Sequence, residues 1–440
     1  MSFEKKGKEG SKLGNVVIAS SIGSYLEWYD FFIAGTAASL VWPRVFFNPN
    51  NPTLAAALST TLFAIIYIVR PVGAIIFGHL GDKYGRKNTF VLTLILMFIG
   101  TLGIGLTPNY ETIGIIAPIL IILFRIIQGI GFGGEWGGAA SFLGEHAIGS
   151  KFQPLIITLG TEAATIVGTI LASGAFSLVI SSMPFTSFVT LGWRILFFTS
   201  AITLIAGIII RYKLRETPLF QSIVEKREIA RSPVLEVFKK QWKVILMLAV
   251  IETVIVNGTS GVTTPYTISL LTARGISPSF STISVTIANV VTLIMVILIS
   301  YIISLRGSRG KKVVIWIGYS LTALFLPFYF ILINTLDYLL ILLAIIVFTI
   351  FQRIGDSVTG PLIAEQFPTK YRYSGTSLSY QISALIAGLN LGVVQPALIG
   401  SFGILGSFSY VLLTYAIITV LGILCAIGVK EVKFRTNEEV

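Results

Sequence analysis

Arg125-Ile-Ile-Gln-Gly-Ile-Gly-Phe-Gly-Gly-Glu-Trp-Gly-Gly-Ala-Ala-Ser-Phe-Leu-Gly-Glu145 follows a run, residues 113–124, without a single charge. Arg125 therefore lies well inside an apolar segment. A cation at bilayer mid-depth costs about 2.5–3.5 kcal/mol on insertion scales. It persists only where it faces a polar cavity, a partner charge or a ligand. At about 100° per residue, Gln128 and Glu135 share one helix face and Arg125 sits at its edge. The glycines at 129, 131, 133, 134, 137 and 138 let this polar helix press against its neighbours. Arg125 is too far from either end to snorkel to the surface. The G-x-G-x-G-G pattern resembles a phosphate loop, but no strand precedes it, which argues against a nucleotide site.

Working outward, the whole chain has the composition of a membrane protein. Its 440 residues are 54% hydrophobic and 12% charged, with a mean hydropathy of +0.86. Soluble domains carry about 25% charged residues, so half of the usual charge is missing. A net charge of +12 would suggest nucleic acid for a soluble protein. Here a basic bias of the cytoplasmic loops explains it, and no nucleic-acid partner is expected. The single cysteine, Cys425, excludes an internal disulfide framework. The basic N-terminus and the long, polar-interrupted first apolar run do not fit a cleaved signal.

At about 20 apolar residues per crossing, twelve spans are expected: 14–42, 54–80, 88–108, 113–141, 153–182, 190–212, 242–266, 278–305, 313–334, 338–364, 375–400 and 405–428. Of the 32 Lys and Arg, Arg44 and Arg274 fall on one side, while Arg70, Arg125, Arg194 and Arg353 fall in spans. The remaining 26 fall on the other side, so the expectation is a multi-pass protein of the cell membrane with both termini cytoplasmic. The organisation is then a first six-helix bundle over 1–212, a cytoplasmic linker over 213–241 with short amphipathic helices, and a second six-helix bundle over 242–440. Within the linker, Pro218 to Ala230 is amphipathic, and a second such segment starts at Ser232-Pro233. An offset of 225 residues relates Arg86 to Lys311, and one of 228 relates Arg125 to Arg353. Two markers with nearly one offset indicate duplicated halves.

Away from their ends the spans carry Glu27, Asp30, Arg70, Arg125, Glu135, Glu162, Glu252, Arg353 and Asp356. Spans one, four, seven and ten hold all but Arg70 and Glu162, a period of three that suggests one lining helix per three-helix unit. Glu27/Asp30 and Arg353/Asp356 are spaced three apart, so each pair faces one side of its helix. Unpaired, nine such charges would cost on the order of 25 kcal/mol, more than a marginally stable fold absorbs. They must pair or line water, and convergence on one wet chamber is expected. Six acids against three arginines leave a negative excess, so at least one carboxyl should exchange a proton near neutral pH.

Gly78-His79-Leu80-Gly81-Asp82-Lys83-Tyr84-Gly85-Arg86-Lys87 resembles the loop motif of the major facilitator superfamily, G-x-L-x-D-R-x-G-R-K, with Lys83 for the usual Arg. Physically, Asp82 can cap a helix start while Arg86 bridges to carboxylates, latching helix ends in one conformation. Gly78, Asp82, Gly85, Arg86 and Lys87 are thus candidate gate residues. The second-half loop, Arg306 to Lys312, has no Asp, and a weaker latch is expected there. More narrowly, Gly23-Ser-Tyr-Leu-Glu-Trp-Tyr-Asp-Phe-Phe32, Arg70-Pro-Val-Gly73, Arg125-x-x-Gln128-Gly129 with Gly133-Gly-Glu-Trp-Gly-Gly-Ala139, Glu216-Thr-Pro218 and Glu365-Gln-Phe-Pro-Thr-Lys-Tyr-Arg-Tyr-Ser-Gly375 resemble the metabolite:proton symporter family. The resemblance implies a twelve-helix carrier importing small metabolites, commonly carboxylates or zwitterionic osmolytes, with protons by alternating access. By that resemblance Glu27, Asp30, Arg125 and Glu135 are the candidate coupling and substrate residues.

These observations lead to a secondary transporter, an all-α polytopic membrane protein and not an enzyme. Its substrate would be a small organic acid or zwitterion, with protons as the coupling ion. Arg125, with Gln128, and Arg353, with Asp356, are expected to bind substrate, and Asp30, Glu27 and Glu135 to carry the proton. The alternative is a proton-coupled antiporter or exporter of amphipathic compounds, which shares fold and loop motif but favours a greasier cavity. With only His79 and His146 in the chain, no histidine metal site or H-E-x-x-H is possible, and no cofactor is expected.

Overall fold

The computed structural model describes residues 3–47, 52–226, 230–263, 265–432 and 434. The expected basic residues Arg227, Lys433 and Arg435 lie outside this set. Every regular element among the described residues is helical. Twelve long elements are numbered here in chain order: α1 Phe3–Leu40, α2 Pro52–Tyr84, α3 Arg86–Leu106, α4 Ile116–His146, α5 Gln153–Ser182 and α6 Trp193–Tyr212. The second set is α7 Pro233–Asn257, α8 Pro278–Leu305, α9 Lys311–Asn334, α10 Tyr338–Glu365, α11 Arg372–Leu389 and α12 Phe408–Gly428.

Among the described residues, ten helices are long and apolar enough to cross a membrane. The other two of the expected twelve, α1 and α7, are the helices that place Glu27, Asp30 and Glu252 in the interior. The second amphipathic segment of the linker is not a separate helix. It is the first turns of α7, which kinks at Gln241 (φ −133°, ψ 23°). The first one is helical over Pro218–Lys226, and residues 227–229 lie outside the described set.

Two helices are broken where they meet. Thr161 (φ −116°, ψ −83°) interrupts α5, and Ser357 and Val358 interrupt α10 after Asp356. Glu162 at the first break accepts hydrogen bonds from Gly360 N (2.7 Å) and Thr359 Oγ1 (3.3 Å) at the second. Freed backbone groups inside a membrane protein are tolerated where side chains re-satisfy them in this way. The halves otherwise meet along α2 against α11 and α5 against α8. Within the first half, α2 and α4 approach backbone to backbone. A Cβ on Gly73 would lie 2.1 Å from Ile130 O, so only glycine permits the spacing.

Candidate transport site

A cavity of about 30 Å³ lies between the halves, lined by α1 (Trp28, Phe32), α2 (Tyr67, Arg70), α4 (Trp136), α5 (Glu162, Thr165), α7 (Glu252, Ile255, Val256) with Thr259 just beyond it, α10 (Arg353, Asp356) and α11 (Tyr380). The expected lining helices one, four, seven and ten all contribute. Arg70 and Glu162, the two exceptions to the period of three, line it as well. One wall is acidic: Glu162, Glu252 and Asp356 face a single guanidinium, that of Arg353. Arg353 is paired with Asp356 and donates to Thr165 Oγ1 (3.1 Å). Glu252 Oε2 has no hydrogen-bond partner among the described residues. Trp136 stacks on Tyr380 at 4.3 Å with the rings 9° from parallel, joining α4 to α11 across the cavity.

The remaining intramembrane charges do not reach this cavity, which corrects the expectation of one shared chamber. They form two further clusters inside the first half. In one, Arg211 Nη1 binds Glu27 Oε1 at 2.5 Å, and its Nη2 lies 3.4 Å from Glu135 Oε1. Ser24 Oγ donates to Glu135 Oε1 (2.9 Å), and the guanidinium lies 3.4 Å over the Phe90 ring. Two buried carboxylates thus share one cation, and one oxygen of each acid (Oε2) has no partner among the described residues. Both acids adjoin a cavity residue in sequence: Glu27 precedes Trp28 and Glu135 precedes Trp136.

The other cluster surrounds Asp30. Its Oδ2 accepts from Thr101 Oγ1 (2.7 Å) and Gln128 Nε2 (3.1 Å), and its Oδ1 from Ser200 Oγ (2.8 Å). Arg125 Nη1 donates to Gln128 Oε1 (2.9 Å) and Nη2 to Phe63 O (3.0 Å), over the Phe63 and Trp42 rings. Arg125 and Gln128 are therefore tied to Asp30's shell, away from the lining, whereas Arg353 and Asp356 are part of it.

At the Lys/Arg-rich end of the molecule the loop motif is engaged. Asp82 does cap a helix, but it is the start of α11 and not the neighbouring α3: Oδ1 accepts from Tyr373 N (3.2 Å) and Oδ2 from Ser374 N (2.8 Å). Arg86 reaches Asp82 (3.1 Å), Glu145 (3.3 Å) and Thr369 O (2.6 Å), and Arg372 pairs with Glu145 at 3.0 Å. Lys87 N donates to Glu216 Oε2 (3.1 Å), and Gly85 turns the chain at φ +114°. Gly78 packs against Ser374. Although it has no Asp, the second-half loop is also latched: Lys311 Nζ donates to Glu365 Oε1 (3.1 Å), and Glu431 accepts from Lys312 N (2.6 Å) and Gly310 N (3.1 Å). It has one side-chain ion pair where the first-half network has three, and its carboxylates come from α10 and the chain after α12.

Sequence reasoning placed Arg211, Lys311 and Arg372 among the basic residues of the cytoplasmic face, yet all three are buried. A cation at a span end reads as a loop residue. The signal that could have found Arg211 is the acid excess itself, since three arginines were too few for six acids.

The family described as "Sugar (and other) transporter" matches residues 16–244. Among curated relatives, the inner membrane metabolite transport protein YhjE of Escherichia coli K12 is 32% identical over 422 residues, 93% of each chain. The proline/betaine transporter of Salmonella typhimurium LT2 is 31% identical over 97% of this chain and 85% of its own. Among solved structures, the proton:xylose symporter XylE bound to 6-bromo-6-deoxy-D-glucose superposes with a TM-score of 0.72 over 95% of both chains at 16% identity, a likeness of fold.

Proposed function

The chain belongs to the sugar (and other) transporter family of the major facilitator superfamily and is a multi-pass membrane transporter, not an enzyme; from that premise we propose that it imports a small organic acid or zwitterion together with protons. The observation that carries this reading is the charge inventory of the interior. Three acids and two guanidiniums line the cavity, and a carboxylate pair shares one guanidinium beside it. Each site holds one carboxyl more than its guanidiniums neutralise, so each has room for one proton.

In this proposal Glu27 and Glu135 carry the coupling proton, and Trp28 and Trp136 transmit their state to the cavity. Asp30, satisfied by three neutral donors, holds Gln128 and through it Arg125. Arg353 and Asp356 act at the cavity itself. Residues 1–212 and 242–440 rock as two bundles joined by 213–241. With the Lys/Arg-rich face and both termini toward the cytoplasm, the Asp82–Arg86–Glu145–Arg372 network is the closed cytoplasmic gate. The relatives named for metabolite and for proline/betaine transport support the substrate range.

The test is uptake into proteoliposomes under an imposed pH gradient, in sodium-free medium, with glycine betaine, proline and succinate as probes. Uphill accumulation driven by an acidic exterior supports the reading. Accumulation that needs sodium, or solute extrusion driven by proton entry, contradicts it.

A further inference from the structure

Arg70 is the one cavity guanidinium that the charge pairing leaves over. It is 1% exposed and lies within 4.0–5.9 Å of four rings: Phe132, Tyr67, Phe31 and Trp28. Among the described residues no carboxylate is paired with it, and its Nε and Nη2 have no hydrogen-bond partner. Ring faces offset part of the desolvation of a cation but accept no N–H bond in the guanidinium plane. Nε and one Nη form the edge that matches a carboxylate bidentately. A buried cation with a bare donor edge, on the wall of a cavity, is built for an anion that arrives from outside.

The other lining groups narrow what that anion belongs to. Glu162, Glu252 and Asp356 exceed the charge of Arg353 by two, and Glu252 keeps a free oxygen. The cavity therefore has a cationic region at Arg70 and an anionic wall on α5, α7 and α10. A dianion would meet that wall unfavourably, and a simple cation would leave Arg70 unpaired. Trp28, Trp136, Tyr67 and Tyr380 supply ring faces suited to an alkylammonium group. Resting on the transport reading above, we propose that Arg70 binds the carboxylate of a dipolar substrate whose cationic group faces Glu252 and Glu162.

The experiment compares wild type, Arg70→Met and Arg70→Lys in sodium-free proteoliposomes, with glycine betaine, proline, succinate and choline as probes. Choline matches glycine betaine except that an alcohol replaces the carboxylate. Thermal midpoints of the purified proteins are measured with and without each probe. Wild type is expected to take up glycine betaine or proline with a KM at least tenfold below those of choline and succinate. Arg70→Met should raise the zwitterion KM a hundredfold or more and abolish its stabilisation. Arg70→Lys should fall between. The probe-free midpoint of Arg70→Met should equal or exceed that of wild type, because an uncompensated buried cation is removed; a structural cation would give the opposite sign.

An unchanged zwitterion KM in Arg70→Met, a lowered probe-free midpoint, or a wild-type preference for succinate or choline overturns the assignment. Arg70-dependent stabilisation by a zwitterion without gradient-driven uptake upholds the site and removes the transport reading. Gradient-driven uptake indifferent to Arg70 does the reverse. No uptake and no stabilisation by any probe removes both.

Discussion

Arg211 shows why single residues divide into those that a sequence reveals and those that it hides. Glu27 and Glu135 are legible because each stands inside an apolar helix where a charge needs a reason. Arg211 follows the run Ile208-Ile-Ile210 and precedes Tyr212-Lys213, so it reads as a loop cation near a membrane surface. Only packing α6 against α1 and α3 turns it inward. Because its fork spans Glu27 and Glu135 at once, Arg211→Lys should lower the proton-driven accumulation ratio at least tenfold while downhill exchange persists. Retained accumulation would detach the pair from coupling. At Asp30, Ser200→Ala removes one of three donors to a buried carboxylate. It should cost about 1.5–3 kcal/mol, read as a lowered denaturation midpoint in detergent.

At the scale of elements, the loop after α2 announced a latch through Asp82 and Arg86, but not its partner. A capping Asp is recognised from local sequence, whereas the helix it caps is set by how the halves close. Here the capped helix is α11, 291 residues on from Asp82 to Tyr373. Asp82→Asn keeps the shape and weakens the charge-assisted bonds to Tyr373 N and Ser374 N, each worth about 1.5–3 kcal/mol. Opening of this end should then rise about tenfold or more, read as faster maleimide labelling of Ser374→Cys. Gly137 reinforces the closure, since a Cβ there would lie 2.1 Å from Ser377 Oγ. Gly137→Ala should therefore speed the same labelling without any change of charge. In the second half, Glu365 and Glu431 stand too far from their loop in sequence to be assigned to it beforehand.

For the whole molecule, the all-helical multi-pass fold was legible, because composition and hydropathy are properties of the chain itself. How the interior charges are grouped was not. Helical periodicity gives the face of a side chain but not the rotation of its helix in the bundle, so one chamber was expected where three clusters exist. The closure between α2 and α11 also has a covalent test. An ideal Cβ at position 78 lies 2.9 Å from Ser374 Cα and 3.4 Å from Ser374 Cβ, just short of the usual disulfide separation, so the two helices must ease apart slightly to accept the bridge. Gly78→Cys with Ser374→Cys, in a Cys425→Ser background, should cross-link on oxidation, stop turnover, and recover on reduction. Free turnover of the cross-linked protein would mean that this end need not open. The central claim, that substrate and proton cross together by way of the buried acids, is tested most directly by recording both fluxes in the same proteoliposomes, with labelled substrate outside and a pH-sensitive dye within. The account predicts that downhill substrate entry acidifies the lumen in wild type, and that the Glu27→Gln, Glu135→Gln variant admits substrate without acidification. Substrate entry with no proton in wild type, or undiminished acidification in the variant, would contradict it.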